Sequence, residues 1–176
     1  MKVLISKAKI ASRTKALAKK IRADYNGEIP IFIGILKGSF IFMSDLVREF
    51  GGECQIDFMA VSSYAGNRKG SGVVRLLKDI SINIEKRDVI IVEDIIDSGL
   101  TTSYIKQYLK LRKPNSIEFI TLLDKPDARQ VKMDIKYVGF KIPNKFVIGY
   151  GLDLGEKYRQ LPYIAEFEEE DEEEVK

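Results

Sequence analysis

Val89-Ile90-Ile91-Val92-Glu93-Asp94-Ile95-Ile96-Asp97-Ser98-Gly99-Leu100-Thr101-Thr102 runs from an unbroken apolar, β-branched block into three acids, then into a turn of small and hydroxylated residues. The apolar block is what a parallel strand covered on both faces looks like. The strand, 89–92, reads as stopping on Glu93 and Asp94. Burial gives no reason for acids there, but the carboxyl ends of strands are where open α/β sheets bind ligands. The turn that follows offers a glycine, hydroxyls and the free N–H groups of a helix start, a cradle suited to phosphate. The acids beside it suit a polyol or a metal ion. Asp97 also stands where an N-cap for that helix would stand.

Outward from this stretch, strands and helices alternate. Apolar positions over 10–22 recur at helical spacing among lysines, an amphipathic N-terminal helix. A buried strand over 28–36 ends at Lys37-Gly38-Ser39, and a helix over 40–50 closes on Gly51-Gly52. A strand at 54–63, a glycine-rich basic loop at 64–72 and a returning strand at 73–77 suggest a hairpin-like flap. A helix over 101–112 and strands at 116–123, 137–142 and 146–150 complete the series. Alternation of this kind implies parallel βαβ units, hence a three-layer α/β fold with a central parallel sheet of about five strands.

The composition, 45% hydrophobic and 31% charged over 176 residues, is that of a globular domain. No apolar run approaches the roughly 20 residues of a membrane span, and Met1 to Lys7 lacks a signal-peptide core. The single cysteine, Cys54, suits a reducing, cytoplasmic setting. Residues 166–176 hold eight acids and one lysine, a net −7, so the chain's +3 conceals +10 on the preceding body. We expect one domain over 1–165 and a disordered acidic tail over 166–176. A basic body suits phosphates, either on a small substrate or on nucleic acid.

The chain has no histidine. That excludes Ser-His-Asp and Cys-His nucleophile systems and imidazole zinc sites. Acid–base work falls to carboxylates, Lys or Tyr, and any metal site is built from oxygen, which points to Mg²⁺ or Mn²⁺. There is no GxxxxGK[ST] loop. Gly149-Tyr150-Gly151-Leu152-Asp153-Leu154-Gly155 is GxGxxxG with no helix after it, so a dinucleotide fingerprint fails.

Val92-Glu93-Asp94-Ile95-Ile96-Asp97-Ser98-Gly99-Leu100-Thr101 resembles the phosphoribosyl-pyrophosphate motif of the type I purine phosphoribosyltransferases, and within them the hypoxanthine-guanine type. Leu36-Lys37-Gly38 resembles that family's pyrophosphate loop, and Ser63-Tyr64 its flap. Leu123-Asp124-Lys125-Pro126 and Lys145-Phe146-Val147-Ile148-Gly149-Tyr150 resemble its purine-binding segments, and Asp153 and Arg159 complete the set. Five segments in order cover about residues 1–164. Leu154 and Gly155 depart from the family pattern, which often has an aromatic after the aspartate.

The resemblance implies a small C-terminal hood over the sheet and transfer of a 5-phosphoribosyl group from phosphoribosyl pyrophosphate to N9 of hypoxanthine or guanine. Glu93 and Asp94 would hold the ribose hydroxyls or a Mg²⁺ bridging to them. Asp97 would act as general base. Ser98, Gly99, Leu100, Thr101 and Thr102 would cradle the 5′-phosphate. Lys37, Gly38 and Arg159 would hold pyrophosphate, and Asp153 would border the purine pocket and meet Mg²⁺. Phe146 would stack on the purine, Val147 would offer backbone groups, and Lys125 would donate to the 6-oxo group. The Leu36–Lys37 peptide can be cis in this family. The implied partners are these small substrates and a second copy or copies of the chain, as homodimer or homotetramer, with no nucleic acid and no membrane. Two other readings are a xanthine-preferring enzyme and a phosphoribosyl-pyrophosphate-binding nucleic-acid regulator.

Overall fold

A computed structural model of the chain describes residues 1–63 and 74–167. The elements in order are β1 (Lys2–Ile5), α1 (Lys7–Asp24), β2 (Ile31–Leu36), α2 (Phe40–Phe50), β3 (Gln55–Ser63), β4 (Val74–Lys78), β5 (Asp88–Ile96), α3 (Leu100–Lys110), β6 (Ser116–Asp124), β7 (Tyr137–Lys141), β8 (Val147–Ile148) and β9 (Ile164–Glu166). Six strands form the main sheet in the order β4-β3-β2-β5-β6-β7. Five run parallel, and β4 pairs antiparallel with β3 at the edge. The three-layer α/β architecture is therefore as the alternating pattern implies.

The layers follow from side-chain alternation along the strands. Phe32, Ile90, Val92, Ile120 and Leu122 pack with α1 and α2 on one face. Ile31, Ile33, Val89, Ile91 and Phe119 pack on the other with Ile105 and Leu109 of α3. Central strands buried on both faces need apolar residues at every position, which is why 89–92 shows no polar alternation. Helix α2 sits tightly on β2 because Gly34 has no side chain; a Cβ there would collide with Met43 Sδ. Gly51, at φ 59, ends α2 in the left-handed cap that only glycine adopts without strain.

Four differences from the sequence reading matter. Strand β5 does not stop at Val92 but carries Glu93 and Asp94 inside the ladder, because β6 continues to pair through Ile96↔Asp124. The connection from β6 to β7, for which the sequence reading named no element, contains one 3-10 turn, Pro126–Ala128. The segment 146–150 contributes β8 to a separate three-stranded sheet, β1-β9-β8, in which the N-terminus also takes part. Glu166 is not tail: it is buried in β9, opposite Lys2 and Val147, and its carboxylate pairs with Lys145 Nζ at 2.5 Å. The rest of the expected tail, 168–176, and most of the expected flap, including Tyr64, lie outside the described residues.

The route of the chain positions the site. From β2 it passes through α2 to β3 on one side, and from β5 through α3 to β6 on the other. The loops after β2 and β5 diverge between those two neighbouring strands, leaving a crevice at their carboxyl ends.

Candidate active site

The crevice gathers most of the residues singled out from sequence. Glu93 is buried at the end of β5, and Asp94 follows it. Burial, then the charges of Asp94 and Asp97, hold the Glu93 carboxyl well above the usual carboxylate range. Burial also pushes Asp94 up to about 6, although N–H groups of Ile95 and Asp94 and the charge of Arg159 pull the other way. Two adjacent acids in this state favour a bound cation or hydroxyl donors.

Gly38 of the loop after β2 lies directly on Asp94; a Cβ there would collide with the Asp94 carboxylate. The peptide between Leu36 and Lys37 is cis. On the other side of Gly38 stands Gly151, at φ 103, so close that a Cβ would strike the Gly38 carbonyl oxygen. Three chain segments thus meet, with the Asp94 side chain between Gly38 and β5 and none between Gly38 and Gly151. Behind Gly151, the Arg159 guanidinium donates to the Gly151 carbonyl at 2.7 Å and pairs with Asp153 at 2.9 Å. Its Nε is buried with no hydrogen-bond partner among the described residues.

Lys37 Nζ pairs with Glu156 Oε2 at 2.9 Å, and Arg159 reaches the same oxygen at 3.3 Å. Those two cations hold the Glu156 carboxyl below its ordinary range. The pair is exposed, so a multiply charged anion can displace Glu156 from Lys37 at small cost. Glu156 went unnoticed in the sequence. Only its spacing from Asp153, whose Oδ2 accepts the Glu156 N–H at 2.8 Å, marks it as part of the same turn.

The turn after β5 has the form of an anion cradle. Gly99, at φ 79, is the residue before α3, and no side chain caps the helix. Asp97 accepts from the Ser98 N–H instead, so it is not the N-cap, and the residue is exposed. Leu100 N–H approaches Ser98 Oγ at 3.4 Å; Thr101 is half-buried and Thr102 buried. The turn is braced from behind: Gln130 and Val131 N–H both donate to Ser98 O, at 2.9 and 3.1 Å.

Lys125 begins the loop that provides this brace, and its N–H donates to Ile96 O at 2.9 Å. Its ammonium is partly stripped of water, which lowers its pKa, while the nearby Asp97 charge opposes the drop. Asp97 and Lys125 are thus the residues that directly follow the register pair Ile96↔Asp124 on neighbouring parallel strands. At the far end of the same loop, Arg129 pairs with the buried Asp124. Phe146 and Val147 belong to the hood: Val147 is buried in β8, and Phe146 is half exposed with its ring edge-on to Phe167 at 6.3 Å. Tyr158 stands on the other side of Phe167, also at 6.3 Å, making an aromatic group that sequence reasoning did not see. Among the described residues, no three acids, cysteines or histidines cluster as a self-sufficient metal cage.

A family model for the phosphoribosyl transferase domain matches residues 5–154. The chain belongs to the phosphoribosyltransferase family. Among phosphoribosyltransferases it is similar to the hypoxanthine-guanine phosphoribosyltransferase of Streptococcus agalactiae, 48% identical over 96% of this chain and 94% of that protein. Of solved structures, a hypoxanthine-guanine phosphoribosyltransferase from Bacillus anthracis superposes with a TM-score of 0.92 at 46% identity, covering 96% of this chain and 99% of that one. A hypoxanthine phosphoribosyltransferase from Staphylococcus aureus gives 0.93 at 46%, covering 97% and 93%. The hypoxanthine-guanine branch is thus where this phosphoribosyltransferase sits. No helix among its described residues is long and apolar enough to cross a membrane.

Proposed function

We propose that the enzyme salvages 6-oxopurines, transferring the 5-phosphoribosyl group of phosphoribosyl pyrophosphate to N9 of hypoxanthine or guanine with release of pyrophosphate. The carrying observation is that Lys125 and Asp97 directly follow the register pair Ile96↔Asp124 on neighbouring parallel strands, which supports a donor-only side chain beside the turn that suits a sugar phosphate. Lysine has no acceptor, so it serves a 6-oxo group and leaves a 6-amino group unpaired. The names of the similar proteins support the enzyme over a nucleic-acid regulator, and hypoxanthine or guanine over xanthine.

In this reading the chain's residues divide the work. Ser98 to Thr102 hold the 5′-phosphate, and Glu93 and Asp94 accept from the ribose hydroxyls. Lys37, the Gly38 backbone and Arg159 neutralise charge that grows on pyrophosphate as the bond to the anomeric carbon breaks. Arg159 Nε and the guanidinium fork suit two anionic oxygens at once. Asp97 takes the proton from N7 of the purine imidazole as N9 bonds to the anomeric carbon and pyrophosphate leaves, and returns it to N7 in the reverse direction. Phe146 offers a flat apolar face to the base, and Val147 its backbone groups.

An all-oxygen donor set with two raised, neighbouring acids fits Mg²⁺, which keeps several waters and shares substrate oxygens. Asp153, Glu93 and Asp94 would hold it, and it would supply charge neutralisation on the departing pyrophosphate. The free Cys54 supports a reducing cytoplasm. Self-association as a homodimer or homotetramer is part of the proposal.

The test is turnover with hypoxanthine, guanine, xanthine and adenine, with and without Mg²⁺, on wild-type protein and on Lys125→Ala. Wild type should use hypoxanthine and guanine and require Mg²⁺. Lys125→Ala should raise KM for those bases far more than KM for phosphoribosyl pyrophosphate. Preference for adenine, or equal losses for both substrates, would overturn the reading.

A further inference from the structure

Tyr150 is none of the residues assigned chemistry above, yet it fastens the hood to the helix that begins at the pyrophosphate loop. Its ring is buried, and its hydroxyl donates to Asp45 Oδ2 at 2.5 Å across 105 residues of sequence. Asp45 lies on α2, which starts at Phe40 immediately after Lys37-Gly38-Ser39. Burial, then the Asp45 bond, raises the Tyr150 pKa, so the hydroxyl stays a donor.

The backbone around Tyr150 makes this bond more than packing. Gly149, Tyr150 and Gly151 take φ values of 97, 50 and 103, three successive residues on the left-handed side. A tyrosine at positive φ is disfavoured unless the surroundings hold it. Directly after it, Gly151 makes its close approach to Gly38. Tyr150 and Gly151 N–H then donate to Leu161 O at 2.8 Å and Arg159 O at 2.9 Å. The arc bearing Asp153 and Arg159 therefore hangs from Tyr150. On its other side is a cavity of about 260 Å³ between α1, α2 and the hood, lined by Ile10, Ile41, Asp45 and Leu161 among others. A ring released from Asp45 has space to move.

We propose that Tyr150, through Asp45, is a positioning residue that sets the spacing between the pyrophosphate loop and the Asp153–Arg159 arc. It acts on phosphoribosyl pyrophosphate rather than on the purine. The purine-side strand is held independently, since Val147 and Ile148 pair with Glu166 and Ala165 of β9. The inference rests on the phosphoribosyl-transfer reading.

Tyr150→Phe keeps the ring and deletes only the donor, and Asp45→Ala removes the acceptor from the other side. Both variants should raise KM for phosphoribosyl pyrophosphate about tenfold, near the worth of one hydrogen bond to a charged group. KM for hypoxanthine should stay within about twofold, because the β8–β9 pairing is untouched. Asp45→Asn retains an acceptor and should recover most of the loss. Parallel rises in both KM values, or a lower Tm with unchanged kinetics in either variant, would overturn the proposal and leave a structural bond only. Wild type that does not use phosphoribosyl pyrophosphate would refute the function itself, whereas an active wild type with unaltered variants refutes only the positioning role.

Discussion

Replacing Asp94 with asparagine separates the stability of this fold from its ability to bind a sugar. Burial is the main cause that moves the Asp94 carboxyl from 3.8 to about 6. With the folded-state pKa above the unfolded one, the folded state holds the proton more tightly. Its advantage is complete below the unfolded pKa and is lost as pH rises through the folded one. Burying the Asp94 carboxyl therefore costs the ligand-free fold about 3 kcal/mol at pH 8, where it is ionised, and about half of that at pH 5, where the folded state keeps its proton. Asp94→Asn keeps the oxygen that accepts the Ile95 N–H at 2.9 Å and brings no charge to bury. Urea unfolding at the two pH values should find the variant more stable at both, with a margin that widens on the order of 1 kcal/mol from pH 5 to pH 8. The same variant should bind phosphoribosyl pyrophosphate more weakly, since a neutral amide is a poorer partner for hydroxyls and cations. A margin that stays flat with pH, or a wild type more stable at pH 8, would refute the account of Asp94 as an acid kept at a cost in stability.

Asp97→Asn should leave both KM values near wild type and lower kcat by about a hundredfold, the scale of a lost general base; steady-state assays with hypoxanthine check it, and retained kcat rejects Asp97 as base. Gly38→Ala should fold with a loss of about 1–3 kcal/mol, as the new Cβ forces the Asp94 carboxylate aside. Its KM for phosphoribosyl pyrophosphate should rise by at least about tenfold, and a variant with wild-type kinetics would show that this close approach is dispensable.

Residues whose neighbours are local were legible in the sequence. Helix α2 falls on 40–50 as read, because its apolar spacing and the following glycines are both within the segment. The acids and the small-residue turn were legible because they break the apolar pattern of a buried strand where burial cannot explain them, whereas Lys125 was reached only through the family resemblance. The end of β5 was not, since Glu93 and Asp94 remain in the ladder only because β6 is long enough to pair with them. Strands β1 and β9 have four and three residues, too few for a period, and exist because distant termini meet. Glu166 looked like the first residue of an acidic run until Lys145 gave it a buried partner. The Tyr150–Asp45 and Lys37–Glu156 contacts span more than a hundred residues each, and no local pattern announces them.

The brace behind the phosphate turn ties two kinds of selectivity to one piece of chain. In the proposed reading, the loop that would present Lys125 to the base also donates, through Gln130 and Val131, to Ser98 of the turn that would hold the sugar phosphate. Lengthening or exchanging that loop to admit a different base would loosen the grip on the ribose phosphate as well. Base preference and sugar affinity are then inherited as a unit on that side of the crevice. The hood side is free of this constraint, because Phe146 and Val147 hang from the three-stranded sheet and share no backbone bond with the turn among the described residues. A redesign of base preference in this fold should therefore begin at Phe146 and leave the Lys125 loop alone.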